Sequence, residues 1–145
     1  MNKVAVIYWS GTGNTEMMAN AIADGAKNAG AEVQIRMVGK ATVEMVSNAD
    51  ALAFGCPSMG AEVLEECEME PFIASLSAED VSGKPTLLFG SYDWGNGMWM
   101  DEWVGRMKEL GATVIGDGLI NRLEPDEALL SICCTEGARL VCSHE

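Results

Sequence analysis

The chain has 145 residues, of which 48% are apolar and 21% charged, and this composition is typical of one folded domain rather than a disordered or collagen-like chain. Nine basic residues stand against 22 acidic ones, so the net charge at pH 7 is −13. A negative field of this size repels nucleic acid and anionic membrane surfaces, which excludes both as partners. It favours a protein partner with a basic docking face.

The cysteines and the apolar runs indicate the compartment. The five cysteines are odd in number and include no CxxC pair, so they are interpreted as reduced thiols and predict no metal site. No apolar run approaches the ~18–20 residues that a membrane span needs. The apolar start at residues 4–9 is too short for a signal peptide. These features favour the cytosol.

Apolar runs alternate with helical spacings along the whole chain. The predicted elements are, in order, a strand at 4–9, a helix with apolar residues at 18–29, a strand at 33–37, a short helix at 42–47, a strand at 49–56, a helix at 67–76, a strand at 86–90, a helix at 100–110, a strand at 113–120 and a helix at 126–142. This alternation predicts a parallel sheet with helices on both faces. Ligands of such sheets bind outside the carboxyl ends of the strands, so we expect the site in the loops after Trp9, Cys56 and Gly90.

The first of these loops has the composition of a phosphate site. It consists of Ser10, Gly11, Thr12, Gly13, Asn14 and Thr15, which combine hydroxyls and an amide with glycines at a predicted helix N-terminus. The loop contains no Lys or Arg, so it is not a nucleoside triphosphate loop, and Glu16 stands where GxGxxG requires its third glycine. A phosphate monoester held by neutral donors fits this pattern, and an ordinary Gly-Ser turn is the alternative.

The other two loops offer stacking surfaces and a hinge. The third loop comprises Ser91, Tyr92, Asp93, Trp94 and Gly95, and continues to Gly97. An aromatic residue in such a polar loop can stack on a planar ligand, and Trp94 is the better platform, although it could instead pack on its own loop. In the second loop, Met59 is polarizable and Gly60 is free to change conformation, which predicts a hinge or a plain turn.

Five segments spread over the chain carry a family resemblance: YWSGTGNTE at 8–16, GCPSMGAEVLEE at 55–66, EPF at 70–72, LFGSYDWG at 88–95 and EPDEA at 124–128. With them the whole chain closely resembles the flavodoxins, and specifically the short-chain kind of anaerobic bacteria. The resemblance implies a single α/β domain over residues 1–145. It also implies a three-layer, doubly wound flavodoxin-like fold whose five-stranded parallel sheet has the order 2-1-3-4-5.

The resemblance further implies non-covalently bound FMN. The phosphate would lie in the first loop, Trp94 would stack on one face of the ring, and Met59 would cover the other. Backbone groups at Gly60 and Ala61 would meet flavin N5, Glu62 the N3 and O4 edge, and the N–H groups of Asp93 and Gly95 the pyrimidine side. The implied FMN contacts are Trp9, Ser10, Gly11, Thr12, Gly13, Asn14, Thr15, Pro57, Ser58, Met59, Gly60, Ala61, Glu62, Ser91, Tyr92, Asp93, Trp94 and Gly95.

Two positions depart from the family pattern. Asp93 stands where glycine is common, and it is strained if the backbone there is left-handed, although Asp tolerates this conformation better than most residues. Ala61 stands where the family often has a polar or acidic residue. Both departures bear on the flavin potentials rather than on the fold.

The implied function is that of a monomeric, low-potential one-electron carrier, which cycles mainly between semiquinone and hydroquinone and is not an enzyme. Its partners would be basic-faced redox proteins, such as reductases or oxidoreductases that otherwise use ferredoxin. One alternative is an NAD(P)H-dependent FMN quinone reductase of the same fold. A phosphoacceptor signalling domain is excluded, because Tyr8-Trp9 and Gly55-Cys56 occupy the places of its acidic residues.

Overall fold

The structure is a computed structural model of the full chain and describes residues 2–11, 13–59, 64–93, 95 and 97–142. Strands and helices alternate along most of these residues. The strands are β1 (Lys3–Tyr8), β2 (Glu32–Met37), β3 (Ala51–Gly55), β4 (Pro85–Tyr92), β5 (Thr113–Val114) and β6 (Leu119–Arg122). The helices are α1 (Asn14–Asn28), α2 (Val43–Asn48), α3 (Met69–Ala74), α4 (Ala78–Val81), α5 (Met98–Glu109) and α6 (Glu127–Cys142), and a 3-10 turn spans Val38–Lys40.

All strand pairs are parallel, and the order β2-β1-β3-β4-β5 confirms the predicted topology. The prediction of one strand at 113–120 is wrong. Glycines at 116 and 118, with φ of 66° and 94°, turn the chain out of the strand, and it returns as β6. β6 pairs with the last four residues of β4, so it runs to the carboxyl edge of the sheet.

Side chains of successive strand residues point to opposite faces, and each face of the sheet has its own core. On one face, Val4 and Val6 of β1 pack with α1 and α6. On the other, Ala5 and Ile7 pack with α2, α3 and α5. Helices α1 and α6 approach so closely that a Cβ on Gly25 would overlap the carbonyl oxygen of Cys134. The loops that follow the strands lie beyond these two cores, at the carboxyl edge of the sheet.

Two further differences from prediction concern α3 and β4. The helix predicted at 67–76 is shorter at both ends and spans Met69–Ala74, and a capping box between Ser77 and Asp80 starts a separate helix, α4, that was not predicted. Strand β4 continues two residues past its predicted end at Gly90, so Ser91 and Tyr92 belong to the sheet. None of the helices described here is long and apolar enough to cross a membrane.

Candidate functional site

A cleft of about 240 Å³ lies at the carboxyl edge of the sheet and brings residues of all three predicted loops together. The described residues that line this cleft are Trp9, Gly11, Asn14, Pro57, Ser58, Met59, Ser91, Tyr92, Asp93 and Leu123. The wall is largely apolar and aromatic, with polar groups near the start of α1. Of the residues predicted for the site, Thr12, Gly60, Ala61, Glu62 and Trp94 lie outside the described residues, as does the hinge predicted at Gly60.

The first loop is folded around the Ser10 hydroxyl. Its oxygen accepts hydrogen bonds from the backbone N–H groups of Gly13, at 3.1 Å, and Glu16, at 3.3 Å. Gly13 precedes α1 with φ of 96°, a conformation that glycine adopts without strain. The N–H groups of Asn14 and Thr15 find no acceptor among the described residues, so the positive end of α1 is open to an anion.

Thr15 couples the first loop to β4. Its hydroxyl lies 3.0 Å from that of Ser91 and accepts a bond of 3.3 Å from the Ser91 backbone N–H. Both residues are buried. The Thr15 hydroxyl, which was predicted to meet a phosphate, is therefore engaged within the protein, and among the described residues of this loop Asn14 is the one whose polar side chain lines the cleft.

Trp9 forms an aromatic wall of the cleft. Its backbone N–H donates to the Gly55 carbonyl at 2.9 Å, which continues the parallel ladder one residue beyond β1. A Cβ on Gly11 would stand 3.2 and 3.3 Å from two carbons of the indole ring. Glycine at 11 therefore lets the ring lie against the first loop.

Hydrogen bonds join the second loop to the end of β4. The Cys56 N–H donates to the Phe89 carbonyl and the Ser58 N–H to the Ser91 carbonyl, each at 3.0 Å. The Cys56 carbonyl accepts a bond of 3.2 Å from Trp99 Nε1 in the core. These bonds fix the segment that carries Met59 into the cleft.

Glu65 fastens the far end of the second loop, and nothing in the sequence pattern pointed to it. Its buried carboxylate accepts backbone N–H bonds from Cys67, Glu68 and Met69, at 2.9, 2.6 and 3.0 Å. Burial alone would raise the pKa of this carboxyl, but the backbone donors at the start of α3 outweigh burial and lower it. Glu65 is thus an ionised cap of α3.

The thiol of Cys56 links the two ends of the same loop. Its sulfur accepts from the Glu65 N–H and lies 3.4 Å from both that nitrogen and the Pro57 carbonyl oxygen. Burial raises the pKa of this thiol to about 12, so it stays protonated and can donate to the carbonyl. Cys56 serves as an internal fastener behind the cleft.

Tyr8 and Glu16 form a second polar contact behind the first loop. The phenol donates a hydrogen bond of 2.8 Å to a carboxylate oxygen of Glu16. Burial, together with this bond and the charge of Glu16, raises the pKa of Tyr8 to about 12. The phenol therefore remains a neutral donor that ties the end of β1 to the first turn of α1.

The third loop is held from β6, a connection that the prediction missed. The Leu123 N–H donates to the Tyr92 carbonyl at 2.7 Å, and Arg122 Nε donates to the Asp93 carbonyl at 3.2 Å. Asp93 is exposed and its φ is not positive, so the strain considered there is absent. The predicted last strand ended at residue 120. Extending it to Arg122 would have brought this residue to the carboxyl edge of the sheet, beside the three loops.

Comparisons with known proteins agree with this geometry. The family model described as Flavodoxin matches residues 6–136. A flavodoxin of Megasphaera elsdenii is 48% identical over 86% of this chain and 90% of its own, and one of Clostridium beijerinckii is 48% identical over 85% and 88%. The solution structure of two-electron reduced Megasphaera elsdenii flavodoxin superposes with a TM-score of 0.83 at 46% identity, covering 93% of this chain and 97% of that one.

Proposed function

Because the chain belongs to the flavodoxin family, whose members are FMN electron carriers, we propose that it carries single electrons at low potential and has no substrate of its own. The observation that carries the proposal is the cleft, in which an aromatic and apolar wall adjoins a lysine-free helix N-terminus at the carboxyl edge of the sheet. We further propose that the chain acts as a monomer, and we place it in the cytosol because its cysteines are interpreted as reduced thiols.

The first loop fits a phosphate monoester without a cationic side chain. All nine basic residues belong to the described part of the chain, and none of them lines the cleft. The open N–H groups of Asn14 and Thr15, with the Asn14 side chain, would supply neutral donors at the positive end of α1. We assign Ser10, Gly11, Thr12 and Gly13 to the same phosphate loop.

The rest of the cleft fits a planar ring. Trp9, Met59 and Tyr92 offer flat or adaptable apolar surfaces, and the Tyr92 ring is braced by Trp99 at a centroid distance of 5.7 Å. We assign the ring to these residues and to the other predicted contacts of the second and third loops: Pro57, Ser58, Gly60, Ala61, Glu62, Ser91, Asp93, Trp94 and Gly95.

FMN supplies the electron chemistry, and the protein supplies position and access. Hydrogen bonds between the loops hold the cleft in shape before any ligand enters, which lowers the entropic cost of binding. Thr15 and Ser91 connect the phosphate loop to the third loop, and Ser58 connects the third loop to the second. The apolar walls exclude water from the ring.

For the partner, we propose a basic-faced redox protein. The sequence places five acidic residues from Glu62 to Glu70. Two of them have partners within the protein: Glu65 caps α3, and Glu70 forms a two-pronged ion pair with Arg106, at 2.7 and 2.6 Å. Glu66 and Glu68 remain exposed for docking. Neutralising both, as Glu66→Gln with Glu68→Gln, should slow electron transfer to a basic reductase and flatten its decline with salt above ~0.1 M.

The function is tested on the purified full-length chain. A flavin absorption spectrum, with FMN as the flavin released on acid treatment, and two separable one-electron steps in an anaerobic reductive titration are expected. Steady-state oxidation of NADH or NADPH by the pure protein with a quinone would instead favour the quinone reductase. A chain that neither contains nor takes up FMN would overturn the carrier proposal.

A further inference from the structure

Leu123 has a backbone conformation that its side chain disfavours. Its φ is 62°, and among the described residues it is the one non-glycine residue with a positive φ. A left-handed conformation brings Cβ against the neighbouring carbonyl oxygen, so leucine is a poor choice for it. The side chain is also 48% exposed, so burial within the protein does not compensate. An exposed apolar residue held under strain is a sign of function.

Hydrogen bonds to the end of β4 and to the third loop hold the chain at this point. β6 pairs with β4 up to the register of Arg122 with Tyr92, and the next N–H, that of Leu123, donates to the Tyr92 carbonyl at 2.7 Å. Arg122 Nε reaches the Asp93 carbonyl at 3.2 Å. These bonds hold the leucine side chain at the wall of the cleft, beside residues of the third loop.

We propose that Leu123 is a ring-binding residue of the flavin site: the strained backbone presents its side chain as an apolar wall that a bound flavin covers. The inference rests on the proposed function. It adds a fourth segment, the end of β6, to the three loops predicted to form the site. The ligand would bury apolar surface that the folded chain leaves in water.

The same contact orients the third loop. In a trans peptide the C=O and N–H point in opposite directions, so the bond from Leu123 to the Tyr92 carbonyl turns the Asp93 N–H away from β6. The Asp93 N–H is one of the groups predicted to meet the ring. Leu123 is therefore also a positioning residue, acting through its backbone N–H, which side-chain substitutions other than proline retain.

Two substitutions separate the side chain from the backbone. Leu123→Ala removes the wall and keeps the strain, whereas Leu123→Gly removes both. Each variant should bind FMN ~3–10-fold more weakly, as expected for losing about half of a leucine's buried surface. Riboflavin should lose the same factor, because the contact is to the ring. The apo form of Leu123→Gly should melt roughly 2–4 °C above that of Leu123→Ala, because glycine adopts the left-handed conformation freely.

The measurements are fluorescence titrations of apoprotein with FMN and with riboflavin, and thermal melts of each apoprotein. Ile132→Ala is the matched control, since Ile132 is equally exposed at 48% but lies on α6, away from the cleft, and its affinity for FMN should equal that of the wild type. An unchanged affinity in both Leu123 variants would overturn the proposal, as would an equal loss in Ile132→Ala. A wild-type chain that binds no flavin would instead refute the function on which the inference rests.

Discussion

Two loops at the carboxyl edge of the sheet are each fastened by one side chain to a helix N-terminus, but with opposite electrostatic results. Ser10 folds the first loop with a neutral hydroxyl that accepts two N–H groups and leaves those of Asn14 and Thr15 without a described partner. Glu65 fastens the second loop with a carboxylate that accepts three N–H groups. The first helix end stays open to an anion, whereas the second is already neutralised from within.

The difference shows how a protein with a net charge of −13 can hold a phosphate without lysine. Negative charge is placed where a helix end must be closed, and it is kept out of the loop whose donors have to face a ligand. A charge introduced at Ser10 should therefore weaken phosphate binding, whereas removal of the charge at Glu65 should lower stability.

The largest effect is expected from moving charge into the first loop. Ser10→Asp still accepts N–H bonds, so the apoprotein should fold, but its carboxylate repels the phosphate and should weaken FMN binding by at least ~100-fold. Ser10→Ala is the neutral control and should cost only ~5–30-fold, the value of one or two lost hydrogen bonds. Riboflavin affinity should change little between Asp and Ala at this position. Equal losses for FMN and riboflavin in Ser10→Asp would place the phosphate elsewhere.

Removing charge from the second loop should reduce stability instead. Glu65→Gln replaces a charged acceptor of three backbone N–H groups and should lower the free energy of unfolding by about 2–3 kcal/mol at pH 7. Chemical denaturation of wild type and variant measures this difference.

The same pair of proteins should show a defined pH dependence. The pKa of Glu65 is lowered on folding, so its contribution is complete above the unfolded value of about 4.3 and is lost as the pH falls through the folded value. The gap between wild type and Glu65→Gln should be constant from pH 6 to 8 and should narrow below about pH 4. A gap that persists unchanged to pH 3 would argue that packing, and not the charge, is responsible.

Backbone conformation gives a smaller test of how the first loop is built. Gly13 has φ of 96°, and a Cβ added there would meet no atom of the described residues within 4 Å, so Gly13→Ala should cost only the backbone strain, about 1–2 kcal/mol. Gly105 of α5 also has open space but no positive φ, and Gly105→Ala should stabilise the protein by about 0.5–1 kcal/mol. Thermal or chemical denaturation of the two variants measures both changes. Losses of stability in both would mean that the two sites differ by packing rather than by conformation.

The first loop was predictable from the sequence because its structure depends on its own residues. Ser10, Gly13 and the start of α1 lie within a few positions of one another, and the apolar strands and helices were equally local signals. Leu123 was not predictable, since its role depends on a contact with Tyr92 across the fold, whereas Glu65 was missed although the N–H groups that it caps lie only two to four residues ahead of it. The break between β5 and β6 was missed although Gly116 and Gly118 stand in the sequence, because an apolar run continues around them.

The smallest expected effect concerns the charges at the third loop. Asp93 is exposed, and the Asp93 backbone is held by the Arg122 guanidinium, so opposite charges flank the same rim of the cleft. The second one-electron couple of bound FMN would add negative charge to the ring, and a nearby carboxylate would disfavour that charge. Asp93→Asn should raise this potential by ~20 mV, the value for a unit charge about 10 Å away at an effective dielectric constant near 70. Arg122→Gln should lower it by a comparable amount, and both shifts should shrink with added salt because the groups are exposed.

Dye-coupled potentiometry at low and high ionic strength measures both shifts in potential. Shifts of the same sign in the two variants would show that loop rearrangement, and not charge, controls the potential, because only an electrostatic effect reverses when the removed charge changes sign.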